Sequence, residues 1–426
     1  MLSLLAPMFL LLLLLGVPIF LTMGLSAALV FGVEHSIVPL AQKIVDELNS
    51  PTLLAVPYFV IAATFMERGG VAKALIDAAT VWIGRMHGGL GLVSVLTCAI
   101  FAAMCGSSVA TAIAMGTIMI PAMLRAGYAP HFASGILVSA GTLGILIPPS
   151  LAFVVYGVLA DASIPRLFLG GVVPGLISAG MMASYVYFYS RKHGYADRVA
   201  LPTKEKINKT VKAIPALLVP VIVLGGLYGG FVTLTETAAL SAVVAIVLAL
   251  FVYREVKPRD FLKTMGHSIR SAAGIMIIIA MALAFGHLIT ETGIAQKTLD
   301  FIQSLGIKSW QFLLAINILL MFLGMFLEVF SILLIVVPIV LPLLEPLGID
   351  PIHFGVVLVI NMELALMSPP VGLNLFVISN ISKVPLAQVL RGTMPFFFLM
   401  IGLLLVVTYI PVISTWLPDL LMGVSK

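Results

Sequence analysis

Two stretches decide the fold: Gly141-Thr142-Leu143-Gly144-Ile145-Leu146-Ile147-Pro148-Pro149-Ser150 and Asn361-Met362-Glu363-Leu364-Ala365-Leu366-Met367-Ser368-Pro369-Pro370-Val371-Gly372-Leu373-Asn374. Each lies within a long apolar run and each carries a Pro-Pro pair. The second proline removes a backbone donor and disfavours helix at the first, so both spans must break in the middle. Non-helical backbone at membrane depth persists only where protein buries it or where it lines a cavity. A single Pro-Pro would read as a kink. Two at matching places in the two halves of a chain predict a binding site of the kind that secondary transporters build.

The composition sets the surroundings. Of the 426 residues, 61% are hydrophobic and 10% charged, against roughly 25% charged in a soluble domain. An ordinary soluble protein is excluded, and an all-α polytopic membrane protein with room for on the order of 10 to 14 crossings is predicted. The 23 basic and 18 acidic residues give a net charge of +5. They lie at helix ends without interleaved aromatics, so the surrounding partner is a lipid bilayer and not nucleic acid. The start, MLSLLAPMFLLLLLLG, has no Lys or Arg before Lys43 and stays apolar to about Val33. It reads as a retained first span, not a cleaved signal. Cys98 and Cys105 would share a helix face about 10 Å apart, too far to bridge.

The chain resembles itself. Gly70-Val-Ala-Lys-Ala-Leu-Ile-Asp77 matches Gly293-Ile-Ala-Gln-Lys-Thr-Leu-Asp300, and each follows a glutamate, Glu67 or Glu291. Pro121, Gly127, Pro130, Pro148, Pro149 and Pro174 recur at one constant offset as Pro342, Gly348, Pro351, Pro369, Pro370 and Pro395. Leucine and valine match by chance in apolar segments, but an ordered skeleton of proline and glycine does not, and it marks a repeat. The first half reads as a span to about Val33, a second at 52–67, an arm at 70–84, a hairpin at 86–124, an interrupted span at 131–162 and a last span at 165–190. The second half reads as spans at 234–253 and 271–291, an arm at 293–306, a hairpin at 308–346, an interrupted span at 352–380 and a last span at 393–416, with one extra span at 213–231 between the halves.

Each half crosses an even number of times, so the extra span makes the second half enter inverted. Residues 191–212 hold Arg191, Lys192, Arg198, Lys204, Lys206, Lys209 and Lys212 and are cytoplasmic by the positive-inside bias. This topology leaves only Lys43, Arg166, Lys297, Lys308 and Lys426 of the 23 basic residues outside. The N-terminus is then cytoplasmic and the C-terminus periplasmic.

Each hairpin spends its length in apolar sequence and returns to its starting side. At the first turn, Met104-Cys105-Gly106-Ser107-Ser108-Val109-Ala110-Thr111, Gly106 suits the turn and Ser107 or Ser108 suits a cap of the second half-helix. The positive end of that half-helix stabilises a carboxylate, while freed carbonyls and hydroxyls suit a small hard cation. Small residues that merely allow close packing are the plainer reading of any one of them. Gly324, Glu328 and Ser331 mark the second turn less clearly. Glu328 and Glu363 sit at membrane depth, where ionisable groups are costly and usually functional. Glu236 differs, because Thr233-Leu-Thr-Glu236 is a capping box, and His287 reads as a packed histidine.

On these motifs, above all Cys105-Gly-Ser-Ser-Val-Ala-Thr111, Gly144-Ile-Leu-Ile-Pro-Pro149, Leu366-Met-Ser-Pro-Pro-Val-Gly-Leu-Asn374 and the Gly70 and Gly293 arms, the chain resembles the large membrane subunit of tripartite ATP-independent periplasmic (TRAP) transporters. The resemblance covers essentially the whole chain. It implies the fold of elevator-type ion transporters, two inverted-topology repeats each with a re-entrant hairpin and a broken helix. The implied division is scaffold at 1–67, arm at 68–85, transport domain at 86–162, scaffold and linker at 163–231, scaffold at 232–292, arm at 293–307, transport domain at 308–380, and last helix with C-terminus at 381–426. It further implies sodium-driven uptake, across the bacterial inner membrane, of an organic carboxylate delivered by a periplasmic binding protein. The small membrane subunit would be a separate chain.

Carried onto these residues, the resemblance implies one sodium site at Gly106, Ser107, Ser108, Gly141, Thr142 and Gly144. A second would use Gly324, Glu328, Ser331, Glu363, Ala365, Met367 and Ser368. The substrate carboxylate would lie near Ser107, Ser108, Pro149, Ser150 and Asn374. No arginine occurs in the broken segments, so helix ends, hydroxyls and sodium would meet the substrate's charge. Sialic acid and a small dicarboxylate both fit the resemblance, with a lean to sialic acid. A proton-coupled carrier using Glu328 or Glu363 is the nearest rival. An intramembrane hydrolase at Ser107 or Ser108 lacks a histidine partner in the turn. No Gly-Lys dipeptide occurs, which excludes a P-loop and with it ATP as a direct energy source.

Overall fold

A computed structural model describes residues 7–9, 11–12, 15–34, 38–195 and 202–423. Every regular element among them is helical. Arg198 and Lys426 lie outside the described residues, as do most of the first ten residues and the side chain of Lys43.

The first half opens with α1 (Ile19–Glu34), α2 (Val38–Leu48), α3 (Ala55–Arg68) and the arm α4 (Val71–Ile83). The hairpin α5 (Gly89–Cys105) and α6 (Ser108–Arg125) follows, then the broken span α7 (Pro130–Leu146) and α8 (Leu151–Leu159), then α9 (Ile164–His193). After α10 (Thr203–Tyr228) the same order of elements returns. It comprises α11 (Leu234–Val247) with a π-helical turn at Leu248–Val252, α12 (Pro258–Thr292), the arm α13 (Ile294–Ser304), the hairpin α14 (Ser309–Gly324) and α15 (Val329–Leu344), the broken span α16 (Pro351–Leu366) and α17 (Leu373–Ser382), α18 (Leu386–Tyr409) and a terminal α19 (Val412–Met422).

Three boundaries differ from the sequence reading, each for a local reason. The span read at 393–416 starts at Leu386 and stops before Ile410, because Pro411 closes α18 and opens the separate helix α19. The span read at 213–231 begins ten residues earlier, since the lysine-rich stretch from Thr203 is itself helical. Lys209 lies 3.8 Å from Glu205 one turn back and 3.7 Å from Asp77 on the arm. The span read at 271–291 likewise starts at Pro258. Thr233 and Glu236 do form the capping box that opens α11, with Thr233 N donating to Glu236 at 2.8 Å.

The broken spans occupy the centre, for in α7 every residue from Phe132 to Leu146 is buried and in α16 every residue from Ile352 to Leu366. Hairpin α5–α6 packs on α7, α14 packs on α16, and α15 packs on α8. The halves interlock: α17 lies on α6 and α7, α18 crosses both α7 and α16, and Tyr156 of α8 donates to the Pro351 carbonyl at 2.6 Å. Around this centre α3 packs between α11 and α12, α1 against α12, and α4 against α10. An ion pair of Arg166 with Asp419 ties α19 to the start of α9. Seven described helices have the length and apolarity to cross a membrane, and α10 is the least covered, with 22% of its apolar window buried.

Candidate functional site

At the first hairpin turn, Gly106 ends α5 at φ +62°, a left-handed conformation that costs a residue with a Cβ roughly 1–2 kcal/mol. A Cβ there would also stand 2.6 Å from the Pro149 carbonyl oxygen, so the turn is pressed against the first break. Ser107 then caps α6, its hydroxyl accepting from Ala110 N at 3.4 Å. Gly144 lets α7 approach the same turn, since a Cβ would meet the Ser107 carbonyl oxygen at 2.5 Å. Both Pro-Pro bonds at the breaks are cis.

These contacts gather helix ends. A cavity of about 230 Å³ is lined by Ser108–Ala110 at the start of α6, Leu151 at the start of α8, Val329 and Phe330 at the start of α15, and Leu373 at the start of α17. Four half-helix N-termini, each the positive end of a macrodipole, therefore ring one space. Across it stand Val60, Ala63, Thr64 and Glu67 of α3 and His267, Ser271 and Ile275 of α12. Glu328, in the turn before α15, also opens onto it.

The sequence-named residues divide as follows. Gly106, Ser107 and Ser108 line the cavity. Ser150 and Asn374 are buried in its wall: the Ser150 hydroxyl donates to the Ile145 carbonyl at 2.5 Å, and Asn374 Nδ2 donates to Ser108 Oγ at 2.7 Å. Gly141 packs on Ala112 of α6, and the Thr142 hydroxyl donates to the Ser139 carbonyl at 2.8 Å. The residues named for a second cation site are not gathered around one point. Gly324 packs directly on Ala365, where a Cβ would collide with that of Ala365. Met367 and Ser368 continue the same end with N–H bonds to Leu364 and Ala365 carbonyls, both at 3.2 Å. Glu328, besides opening onto the cavity, shares a second cleft with Ser331, Pro18, Phe20 and Ile278. Glu363 points elsewhere again, within reach of the Thr142 hydroxyl of α7.

The sequence reading missed Glu67, His267 and Ser271 as wall residues. It also missed a buried polar chain in which Asn361 Nδ2 donates to Asn317 Oδ1 at 2.8 Å, Asn317 Nδ2 to Thr408 Oγ1 at 3.0 Å, and His353 bonds Ser414 at 2.8 Å. Asparagines inside apolar helices are the one signal that pointed to the latter.

Comparison with known proteins now decides the family. Residues 7–413 match the family model described as tripartite ATP-independent periplasmic transporter, DctM component. The chain belongs to the DctM family of TRAP transporters. A C4-dicarboxylate TRAP transporter large permease of Pseudomonas aeruginosa is 42% identical to this DctM-family chain over 400 residues, covering 93% of it and 94% of the relative. A sialic acid TRAP transporter large permease of Vibrio cholerae is 31% identical, covering 91% and 90%. Among solved structures, the Alcanivorax borkumensis YdaH transporter superposes with TM-score 0.65 at 14% identity, covering 95% of this chain and 97% of that one, a likeness of fold. A DctM-family permease is a multi-pass membrane transport protein and not an enzyme, which removes the hydrolase reading of Ser107 and Ser108. As one component of a tripartite system it works with partner proteins.

Proposed function

We propose that this permease takes up an organic carboxylate of the C4-dicarboxylate class, driven by sodium. The observation that carries the reading is the ring of four helix N-termini around one cavity, a place that favours a carboxylate over a cation or a neutral sugar. With two such ends from each half, an elongated diacid meets a positive end at both of its carboxylates. The cavity of about 230 Å³ falls below the roughly 300–1,000 Å³ usual for larger ligands, which suits a four-carbon diacid better than a nine-carbon sugar acid. The relative named for C4-dicarboxylates is also more similar than the one named for sialic acid, 42% against 31% identical.

Sodium belongs to the proposal on chemical grounds. Carbonyls freed at the end of α7 beyond Gly141, Thr142 and Gly144, with the turn at Gly106 and Ser107 pressed against it, offer oxygen to a hard cation, and an anion entering beside Glu67 and Glu328 needs accompanying positive charge. The halves lie in the inner membrane in inverted orientation, N-terminus inside and C-terminus outside, on the distribution of Lys and Arg. The hairpins and broken spans move as a unit against α1–α3 and α10–α12 in an elevator cycle. A periplasmic binding protein delivers substrate, and a separate small membrane subunit covers exposed scaffold, of which α10 is the most open face.

Proteoliposomes holding the permease and small subunit, given loaded binding protein outside, test this. Labelled succinate should accumulate under an inward sodium gradient, and unlabelled succinate should compete better than sialic acid. Accumulation driven by a proton gradient without sodium would overturn the coupling; the reverse order of competition would overturn the substrate class.

A further inference from the structure

We infer that Glu363 is a ligand of the first half's cation site, reached across the α7–α16 interface, and not of the second half's. The inference rests on the sodium-coupled reading above and adds to it a residue and a direction of coupling.

Glu363 and Ala365 are two positions apart on α16, so at 100° per residue they face nearly opposite ways. Ala365 is the residue pressed against Gly324 of α14. Glu363 therefore looks away from the second hairpin and toward α7, where the Thr142 hydroxyl lies within its reach. It is 0% exposed, and the Thr142 hydroxyl is the hydrogen-bonding group that the described residues bring to its carboxylate. The Thr142 hydroxyl has a single proton and also bonds the Ser139 carbonyl at 2.8 Å, so it satisfies the two carboxylate oxygens only in part. The hydroxyl oxygen of Ser139, one turn back on α7, is buried and without a partner.

No side-chain cation stands by to neutralise this carboxylate. Helices α8, α14, α15 and α17 contain no Lys, Arg or His, and α7 contains only His131 in its first turn. Arg391 lies in the second turn of α18, and the charges of α9 sit at its ends as Arg166, Arg191, Lys192 and His193. A buried carboxylate facing hydroxyl oxygens, with no side-chain cation beside it, is the chemistry of a hard monovalent cation. An ionised carboxylate is far too costly to bury unpaired, so the cation that enters beside Thr142 supplies what the protein withholds. Because α16 belongs to the second half and α7 to the first, one bound ion clamps the two broken spans together. The substrate wall built from both then depends on sodium.

Binding of ²²Na⁺ to the purified complex of permease and small subunit, measured without substrate or transport, is the test. Wild type should bind. Glu363→Gln should weaken apparent sodium affinity roughly tenfold or more, as should Thr142→Val, while Thr142→Ser restores it. If Glu363→Gln fails to give a monodisperse complex, the Thr142→Val and Thr142→Ser pair decides alone. Equal ²²Na⁺ affinity in wild type and Glu363→Gln, or in the two Thr142 variants, would overturn the inference and leave Glu363 a neutral acid. Absence of binding in wild type would instead sink the sodium reading on which it stands.

Discussion

At the scale of single residues, the site depends on side chains whose value comes from the other half of the chain. Asn374 is fully buried and spends its amide N–H groups on Ser108 Oγ at 2.7 Å and the Val138 carbonyl at 3.4 Å. Asn374→Ala removes both bonds and leaves the buried Ser108 hydroxyl without its donor, a loss of about 1–3 kcal/mol. The complex should melt earlier in a thermal-shift assay, and uptake should show a raised KM for substrate. Gly106→Ala should be harsher on function, because the new methyl meets the Pro149 carbonyl at 2.6 Å in a left-handed turn. Uptake at saturating sodium should fall by an order of magnitude or more while the protein still reaches the membrane. Gly106, Ser108 and Asn374 were legible because glycine, serine and asparagine are conspicuous in apolar helices. Glu67, His267 and Ser271 were not, because they reach the cavity only through the packing of α3 and α12, which leaves no local pattern.

At the scale of elements, the breaks were readable outright and the second hairpin turn less sharply, bracketed by Gly324 and Glu328. Pro-Pro forbids helix on steric grounds wherever it stands, and Gly-Ser-Ser both turns and caps. Met325, Phe326 and Leu327 carry the chain round between Gly324 and Glu328, so the turn lacks the Gly-Ser-Ser pattern that makes the first one plain. The amphipathic α2 went unseen for a similar reason, lying as a short segment between two stronger spans. The contact of the first hairpin with α3 gives a test of relative motion. Cys105 Sγ lies 3.9 Å from the Ala63 carbonyl oxygen, one residue on the hairpin proposed to move and the other on α3. In a Cys98→Ala background, Ala63→Cys should cross-link to native Cys105 under mild oxidation and stop uptake, with recovery on reduction. Undiminished uptake by the cross-linked protein would mean that the hairpin does not leave α3 during the cycle.

For the whole molecule, the placement of Lys and Arg predicts an orientation that labelling can check. The two cysteines are free and buried, so a cysteine placed on the surface can be labelled cleanly. Lys204→Cys, exposed at the start of α10, should react with a membrane-impermeant maleimide only in inside-out vesicles. Lys308→Cys, exposed before α14, should react only from the periplasmic side. Matching labelling of both from one side would contradict the inverted arrangement.

The bond from Asn374 to Ser108 also bears on how the protein is made. Ser108 enters the membrane early, at a hairpin tip that cannot face lipid with its polar backbone exposed. Its partner is still unsynthesised, and at about 5–20 residues per second it arrives only after some tens of seconds. Over that interval the first half is a membrane-embedded chain with an unfinished polar tip, open to capture by membrane chaperones or proteases. Expressed alone, it should be short-lived in the cell, and supplying the second half as a separate polypeptide should prolong its life.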